Sequence, residues 1–135
     1  MTKKEVTQLS YEIVGFAIDV HKELGPGLLE SVYEKCLAHE LRLNGYKVVQ
    51  QVNVPVHYKG LDIDVDLRLD LLVNDTIVVE LKAVQEILPV HEAQLLTYMK
   101  LMKKPQGLLI NFYTDNISKS MKAFVNEYFR ILDDE

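Results

Sequence analysis

The charged residues of the segment 68–82 have the types and spacing best suited to chemistry in this sequence. The segment predicts two strands joined by a tight turn at Asn74-Asp75 and flanked by Val, Ile and Leu. Alternation places Glu80 and Lys82 on one face of the second strand, while Asp70 lies among apolar neighbours on the first. Burying two carboxylates and an ammonium is costly unless a bound divalent cation compensates them. These residues are therefore a candidate metal site.

A simpler alternative is open for the same residues. Glu80 and Lys82 could form a surface ion pair at an exposed strand end, which contributes at most about 1 kcal/mol. Arg68, which shares a face with Asp70, could pair with a carboxylate, and this is favoured over a phosphate contact. The choice between a metal site and an ion pair depends on whether further motifs accompany the three residues.

The segment Leu61–Val73 alternates strictly between apolar and charged residues and predicts one continuous strand. The face predicted to join the core carries Leu61, Ile63, Val65, Leu67, Leu69 and Leu71. The other face carries Asp62, Asp64, Asp66, Arg68 and Asp70. The Asp run is interpreted as a solvated sheet face rather than a cation site, because only Asp70 lies near the Glu80 end of the hairpin.

The elements that must position these residues follow from periodicity. Apolar residues at helical spacing predict a first helix over residues 5–24 and a second over residues 28–43, with Gly25 as the cap and Pro26 at the first helical position. A strand over residues 46–58 contains Pro55, which indicates a sheet edge.

The second half of the chain continues the alternation of helix and strand. We expect a helix over residues 90–103, a buried strand over residues 107–113 and a C-terminal helix over residues 117–132. The buried strand is predicted to join the sheet in parallel through a right-handed crossover. The expected order of elements is α-α-β-β-β-α-β-α.

Composition restricts the classes of function. The 135 residues predict one domain, 48% of them hydrophobic and 26% charged. No apolar run approaches the ~20 residues that span a bilayer, and the polar start lacks a signal-peptide core, so a cytoplasmic protein without a membrane partner is expected. Cys36 is the only cysteine, which excludes an internal disulfide and a thiolate zinc site. The net charge of −5 argues against passive wrapping of nucleic acid.

Several motifs together resemble a known superfamily. Asp70 followed by Glu80-Leu81-Lys82 resembles the catalytic signature of PD-(D/E)XK nucleases. Gly27-x-x-Glu30-x-x-Tyr33 is similar to the signature of the GxxExxY protein family, which is assigned to the same fold. Gln94-x-x-x-Tyr98 resembles the motif of RecB-like nucleases in that superfamily. These motifs follow one another in the order that the superfamily has, and their combination is specific although each alone is weak.

The resemblance implies a fold and a site. The fold would be α/β, with a restriction-endonuclease-like αβββαβ core, a mixed central sheet flanked by helices, and extra N-terminal and C-terminal helices. One PD-(D/E)XK nuclease-like domain would span residues 1–135. Mg²⁺, or Mn²⁺, would be held by Asp70, Glu80 and the backbone carbonyl of Leu81. Glu30 would reach in from the second helix to ligate a second metal or to bind a water of the first.

The same resemblance implies roles for the other motif residues. Lys82 would hold or help deprotonate the attacking water and stabilise charge on the phosphate. Gln94 and Tyr98 would orient the substrate or the lysine. Tyr33 is interpreted as a packing residue. His21 and His91 resemble family positions and stay open between a structural role and direct participation.

The resulting functional prediction is a Mg²⁺-dependent nuclease that hydrolyses phosphodiester bonds, with DNA favoured over RNA. The alternative is a nucleic-acid-binding module, or a partner subunit of a defence or repair complex that is inactive alone. Because the chain leaves no room for a recognition module, a homodimer mate or a larger complex would have to supply specificity. A purely structural protein gives no reason for these motifs to occur in order.

Overall fold

A five-stranded mixed sheet lies at the centre of the fold in a computed structural model that describes residues 1–135. The elements in chain order are α1 (Lys3–Leu24), α2 (Glu30–Leu43), β1 (Val48–Asn53), β2 (Val56–Tyr58), β3 (Leu61–Ile63), β4 (Arg68–Val73), β5 (Ile77–Lys82), α3 (Pro89–Met102), β6 (Gln106–Asn111), α4 (Ile117–Ser120), β7 (Lys122–Val125) and α5 (Glu127–Arg130). The order across the sheet is β1-β4-β5-β6-β7, and only β5 and β6 run parallel. This is the predicted α/β fold, with a mixed sheet flanked by helices.

Helices cover both faces of this sheet. Val79, Leu81 and Ile110 pack with α1 and α2 on one face, while Val78 and Leu109 pack with α3 on the other. The near-continuous burial of β5 and β6 follows from this double cover, because parallel strands with helices on both sides have no solvated face. None of the helices combines the length and the apolar character that a membrane span requires.

The turn between β4 and β5 confirms the predicted hairpin. Val73 lies opposite Ile77, and the Thr76 N–H donates to the Val73 carbonyl at 3.0 Å. Asn74 and Asp75 both have positive φ, at 49° and 52°. Two left-handed residues make a type I′ turn, which matches the twist of the flanking strands and favours Asn and Asp.

The start of the second helix differs from the prediction. Gly25, with φ of 73°, ends α1, and α2 begins only at Glu30, so Pro26 is not its first residue. The Tyr33 hydroxyl donates to the Gly25 carbonyl at 2.5 Å and accepts from the Leu28 N–H at 3.1 Å. These two bonds hold the intervening residues in a loop, which explains the later start of the helix.

The long alternating segment Leu61–Val73 is not one strand. Its first part forms β3, which pairs with β2 in a separate two-stranded ribbon, and only β4 joins the main sheet. Leu61, Ile63 and Val65 are exposed, so the prediction that they join the core is wrong. Pro55 lacks the N–H that would continue β1, so pairing in the main sheet ends there and the chain leaves it.

The predicted C-terminal helix is also wrong. Residues 117–130 form two short helices separated by β7, which pairs antiparallel with β6. Without β7, β6 would leave unpaired backbone groups at an edge of the sheet, and such groups are costly when buried. Asn116 caps α4 and Asn126 caps α5 by accepting backbone N–H bonds, and these caps fix the breaks in the helical pattern.

Candidate metal centre

The two central strands separate at the candidate site. The β4–β5 ladder runs as far as Leu71 opposite Val79 and stops there. Beyond that point β4 stays paired with β1, and β5 stays paired with β6. The sheet therefore opens into a fork, and the first residues inside the fork are Asp70 and Glu80.

Each of the two carboxylates at the fork accepts a hydrogen bond from a backbone N–H of the other's strand. The Asp70 N–H donates to Oε2 of Glu80 at 3.2 Å, and the Leu81 N–H donates to Oδ2 of Asp70 at 2.8 Å. Side-chain acceptors thus replace direct backbone pairing between the two strands at this point. The exchange fixes the two acidic groups side by side without a cationic partner between them.

Burial makes this pair electrostatically costly when both groups are ionised. Glu80 is only 5% exposed. Its burial, and then the neighbouring charge of Asp70, raise the pKa of Glu80 to about 9, while the charge of Lys82 opposes the rise. In the metal-free protein the fork therefore favours the protonated form of Glu80 over two adjacent negative charges. A bound cation would replace that proton, as metal sites that need an ionised ligand commonly require.

Lys82 lies at the end of β5 on the same face as Glu80. Its backbone carbonyl accepts from the Phe112 N–H at 2.8 Å, so the sheet holds the backbone at this position. The residue is half-buried, and its ammonium makes no ion pair with an Asp or Glu. The alternative of a direct Glu80–Lys82 ion pair is therefore wrong, and the lysine is free to bind another group.

Helix α3 brings Tyr98 to the fork. This side chain is buried, and its pKa is raised first by burial and then by the charges of Glu80 and Asp70, while the amide of Gln94 opposes the rise. Tyr98 thus lies within electrostatic reach of both carboxylates, with Gln94 beside it one turn earlier. The phenol keeps its proton and can donate a hydrogen bond inside the site.

Two residues left open by the sequence have structural contacts. His91 accepts the Leu88 N–H on Nδ1 at 3.0 Å, so its ring caps the start of α3. Nε2 of His21 bonds the Thr114 carbonyl at 2.7 Å.

Tyr33 stacks on Phe112 with ring centroids 4.3 Å apart, which confirms that it is a packing residue.

The acidic residues of α2 differ in their relation to the fork. Glu30 is the first residue of the helix; it is exposed, and its side chain makes no hydrogen bond with Asp70 or Glu80. Glu34 lies one turn further along. Its Oε1 accepts from Nε2 of Gln51 at 2.5 Å, and the same nitrogen donates to Oδ1 of Asp70 at 3.3 Å. The structure therefore connects Glu34, rather than Glu30, to the fork.

Sequence reasoning did not identify Glu34, Gln51 or Asn111 as parts of this site. Asn111, which is 5% exposed, accepts from the Val84 N–H at 3.1 Å and donates to the Val84 carbonyl at 2.8 Å, so it holds the chain just beyond Lys82. Glu34 could have been found, because it shares a helical face with Glu30. Gln51 and Asn111 lie in strands with no motif around them and give no such signal.

The donor set at the fork suits a hard divalent cation. No group of three or more His, Cys, Asp or Glu side chains lies close enough together to hold a metal ion. The available donors are the carboxylates of Asp70 and Glu80 and the backbone oxygen of Leu81. Mg²⁺ accepts such a set, because it usually binds one or two carboxylates and keeps several waters. The uncompensated carboxylate pair fits a cation of this kind.

Comparison with protein families agrees with this geometry. The family model of the PD-(D/E)XK nuclease superfamily matches residues 7–124, which include the fork, α2, α3 and the whole of β6. No curated protein and no solved structure matches the sequence. Since the match covers most of the chain and its signature residues meet where β4 and β5 separate, the chain belongs to the PD-(D/E)XK nuclease superfamily.

Proposed function

We propose that this chain is a Mg²⁺- or Mn²⁺-dependent nuclease that hydrolyses phosphodiester bonds of DNA, with RNA the less favoured substrate. The observation that carries the proposal is the pairing of buried Glu80 with half-buried Asp70, which has no compensating cation and lies beside a lysine that makes no ion pair. The motif Gly27-x-x-Glu30-x-x-Tyr33 further supports placing the chain in the GxxExxY family, as a single domain over residues 1–135.

Some residues at the fork would bind the cation, and others would act on the water and the phosphate. Asp70, Glu80 and the carbonyl of Leu81 would hold the cation. A divalent cation bound there supplies positive charge that favours attack of water on phosphorus and offsets charge on the phosphate oxygens. Glu80 must lose its proton to take part, so the cation is expected to bind more tightly as pH rises.

Lys82 supplies the mobile positive charge of the site. Because its ammonium has no carboxylate partner, it can bind a phosphate oxygen or hold the attacking water. Tyr98, which stays protonated, would donate a hydrogen bond to the substrate or orient the lysine, and Gln94 would support it from the preceding turn.

Two glutamates of α2, Glu30 and Glu34, are candidates for a role at the fork. Glu30 remains the predicted ligand of a second cation, or of a water on the first. Glu34 is the better placed of the two, because Gln51 already links it to Asp70. Comparing Glu30→Gln with Glu34→Gln for loss of cleavage decides which carboxylate serves the site.

A second function is favoured by the charge distribution. The chain carries a net charge of −5, and Asp62, Asp64 and Asp66 are exposed in the segment that leads into β4. Negative charge beside the fork repels phosphate. A subunit that cleaves only after a second copy or another protein supplies positive charge would have this surface.

Cleavage of a panel of single- and double-stranded DNA and RNA, with Mg²⁺ or Mn²⁺, tests the proposal. Wild-type protein, Asp70→Asn and Lys82→Ala are purified identically, with Asp64→Asn as a matched surface control. We expect metal-dependent cleavage by the wild type and by Asp64→Asn, and none by the other two. Equal trace cleavage by all four proteins would indicate contamination and favour the partner-dependent function.

A further inference from the structure

Two neighbouring glutamines on β1 bind the same carboxylate. Successive side chains of a strand point to opposite faces, so Gln50 and Gln51 should not meet on one partner. Yet Nε2 of Gln50 donates to Oε2 of Glu34 at 3.0 Å, and Nε2 of Gln51 donates to Oε1 of the same residue at 2.5 Å. The strand therefore departs from regular geometry at this point.

The departure lies in the backbone of Gln51. Its φ is 51°, in the left-handed region, which is unfavourable for a residue that has a side chain. Pairing between β1 and β4 is otherwise in register on both sides, with Gln50 opposite Leu71 and Val52 opposite Leu69. By that register Gln51 lies opposite Asp70. Backbone strain in a non-glycine residue concentrates at functional sites, where the surroundings impose it.

The result of this strain is a polar chain that ends at the fork. Arg42 donates from Nη1 to Oε1 of Gln50 at 3.0 Å, and Gln50 in turn donates to Glu34. Gln51 closes the chain, because one amide nitrogen donates to Glu34 and, at 3.3 Å, to Oδ1 of Asp70. The amide separates the two carboxylates and gives each of them a donor.

We propose that Gln51 is a positioning residue of the metal centre, whose strained backbone directs its amide onto Asp70 and ties Glu34 to the fork. Oδ2 of Asp70 is already fixed by the Leu81 N–H, so the amide fixes the other oxygen and thereby the rotation of the carboxylate. Partners that orient a ligating carboxylate typically contribute 10–100-fold, as an order of magnitude, to metal affinity. This inference rests on the proposed function only in that Asp70 holds a divalent cation.

Gln51→Gly separates positioning from a merely structural role. Glycine adopts the left-handed conformation without strain, and this gain offsets the lost hydrogen bonds, so the metal-free variant is expected to melt within about 3 °C of the wild type. Loss of the amide should at the same time weaken Mn²⁺ binding, measured on the full chain by electron paramagnetic resonance, by about tenfold or more. A nearly unchanged melting temperature together with weaker binding is a result that a structural residue would not give.

Gln50→Leu is the matched control. It removes the other amide from Glu34 but leaves the contact with Asp70, so Mn²⁺ affinity should change by less than about threefold, below the range typical of direct orienting partners. Gln51→Asn gives a second variant, because Asn tolerates the left-handed conformation but has an amide one methylene shorter. We expect it to bind Mn²⁺ as weakly as Gln51→Gly.

Several outcomes would overturn the inference. They are unchanged Mn²⁺ affinity in Gln51→Gly, a large loss of thermal stability in that variant, an equal loss of affinity in Gln50→Leu, or no Mn²⁺ binding by the wild type. If Mn²⁺ binds the wild type and Gln51→Gly weakens it while no nucleic acid is cleaved, the positioning role stands and the proposed nuclease function fails. The two proposals can therefore fail separately.

Discussion

Two parts of one alternating segment have opposite environments in this protein. In residues 61–66 both the apolar and the acidic side chains are exposed. In β4, which continues the same pattern, Leu69 and Leu71 are fully buried and Asp70 is held by backbone and side-chain bonds. Alternation determines which residues share a face, but the neighbouring strands and helices determine whether that face is covered.

The comparison explains why only one aspartate of the series is a candidate for chemistry. Asp62, Asp64 and Asp66 belong to a ribbon or to the chain beyond it and face solvent, where ionised carboxylates are stable. Asp70 is half-buried between β1 and β5, beside the buried carboxylate of Glu80. At the fork an aspartate is half-buried beside a second carboxylate, so its negative charge requires a compensating cation.

The largest expected difference is in the cleavage rates of the Asp70→Asn and Asp64→Asn variants. Asp70→Asn removes a charged ligand from the fork, and cleavage should fall by more than ~100-fold, the upper range for loss of a partner that only orients a ligand. Asp64→Asn should retain wild-type activity because its side chain faces solvent. Initial rates of cleavage at saturating Mg²⁺ measure both. Equal rates for the two variants would contradict the account.

The apolar residues of the two parts should differ almost as strongly in stability. Leu71→Ala leaves a cavity in the main core and should lower the free energy of unfolding by about 2–5 kcal/mol. Leu61→Ala removes a side chain that is 59% exposed and should change this free energy by less than about 0.5 kcal/mol. Urea unfolding of the metal-free proteins gives both values. A large loss in Leu61→Ala would show that the ribbon is packed.

A third prediction concerns the pH dependence of the metal-free protein. The folded pKa of Glu80 is raised to about 9 from an ordinary value of 4.5, so the folded state binds the extra proton between these values. The contribution of Glu80 to stability is therefore complete below pH 4.5 and is lost as pH rises toward 9.

Urea unfolding in EDTA across this window measures the effect, with Glu80→Gln as the reference. The variant keeps a neutral side chain at every pH, so its stability should fall less steeply, and the difference between the two curves isolates Glu80. Saturating Mn²⁺ should abolish the loss in the wild type, because the cation replaces the proton. Parallel curves for wild type and variant would refute the electrostatic description of the fork.

The smallest effect is expected for the ion pair that joins the two parts. Arg68 donates from Nε to Oδ1 of Asp66 at 2.7 Å, and both side chains are exposed. Pairs of this kind contribute at most about 1 kcal/mol. Asp66→Asn should therefore shift the urea midpoint only slightly and leave cleavage unchanged. A marked loss of cleavage would instead assign Arg68 a role in binding phosphate.

Local chemistry made part of this structure predictable. The Asn74-Asp75 turn followed from the residues that tolerate positive φ, and the strand register then brought Asp70 and Glu80 to the same end of the hairpin. The parallel pairing of β5 and β6 followed from the intervening helix. Each of these features depends on a few neighbouring residues or on a general rule of chain connection.

The remaining features depend on contacts between distant parts of the chain. The apolar spacing of residues 117–132 suits a helix, but the open edge of β6 recruits part of it as β7. Gln51 gives no motif, because its role arises from backbone strain and from a carboxylate 17 residues away in sequence. Asn111 likewise acts on Val84, which lies in another segment. Local patterns contain none of this information.

The most direct test of the account is the location of Mn²⁺ in crystals of the protein, from its anomalous scattering. We expect a peak at the fork, with oxygens of Asp70, Glu80 and the Leu81 carbonyl at about 2.0–2.3 Å from the ion, the range for hard cations of this size. Asp70→Asn crystals should lack the peak. No peak at the fork in the wild type, or peaks only on the exposed aspartates of residues 61–66, would contradict it.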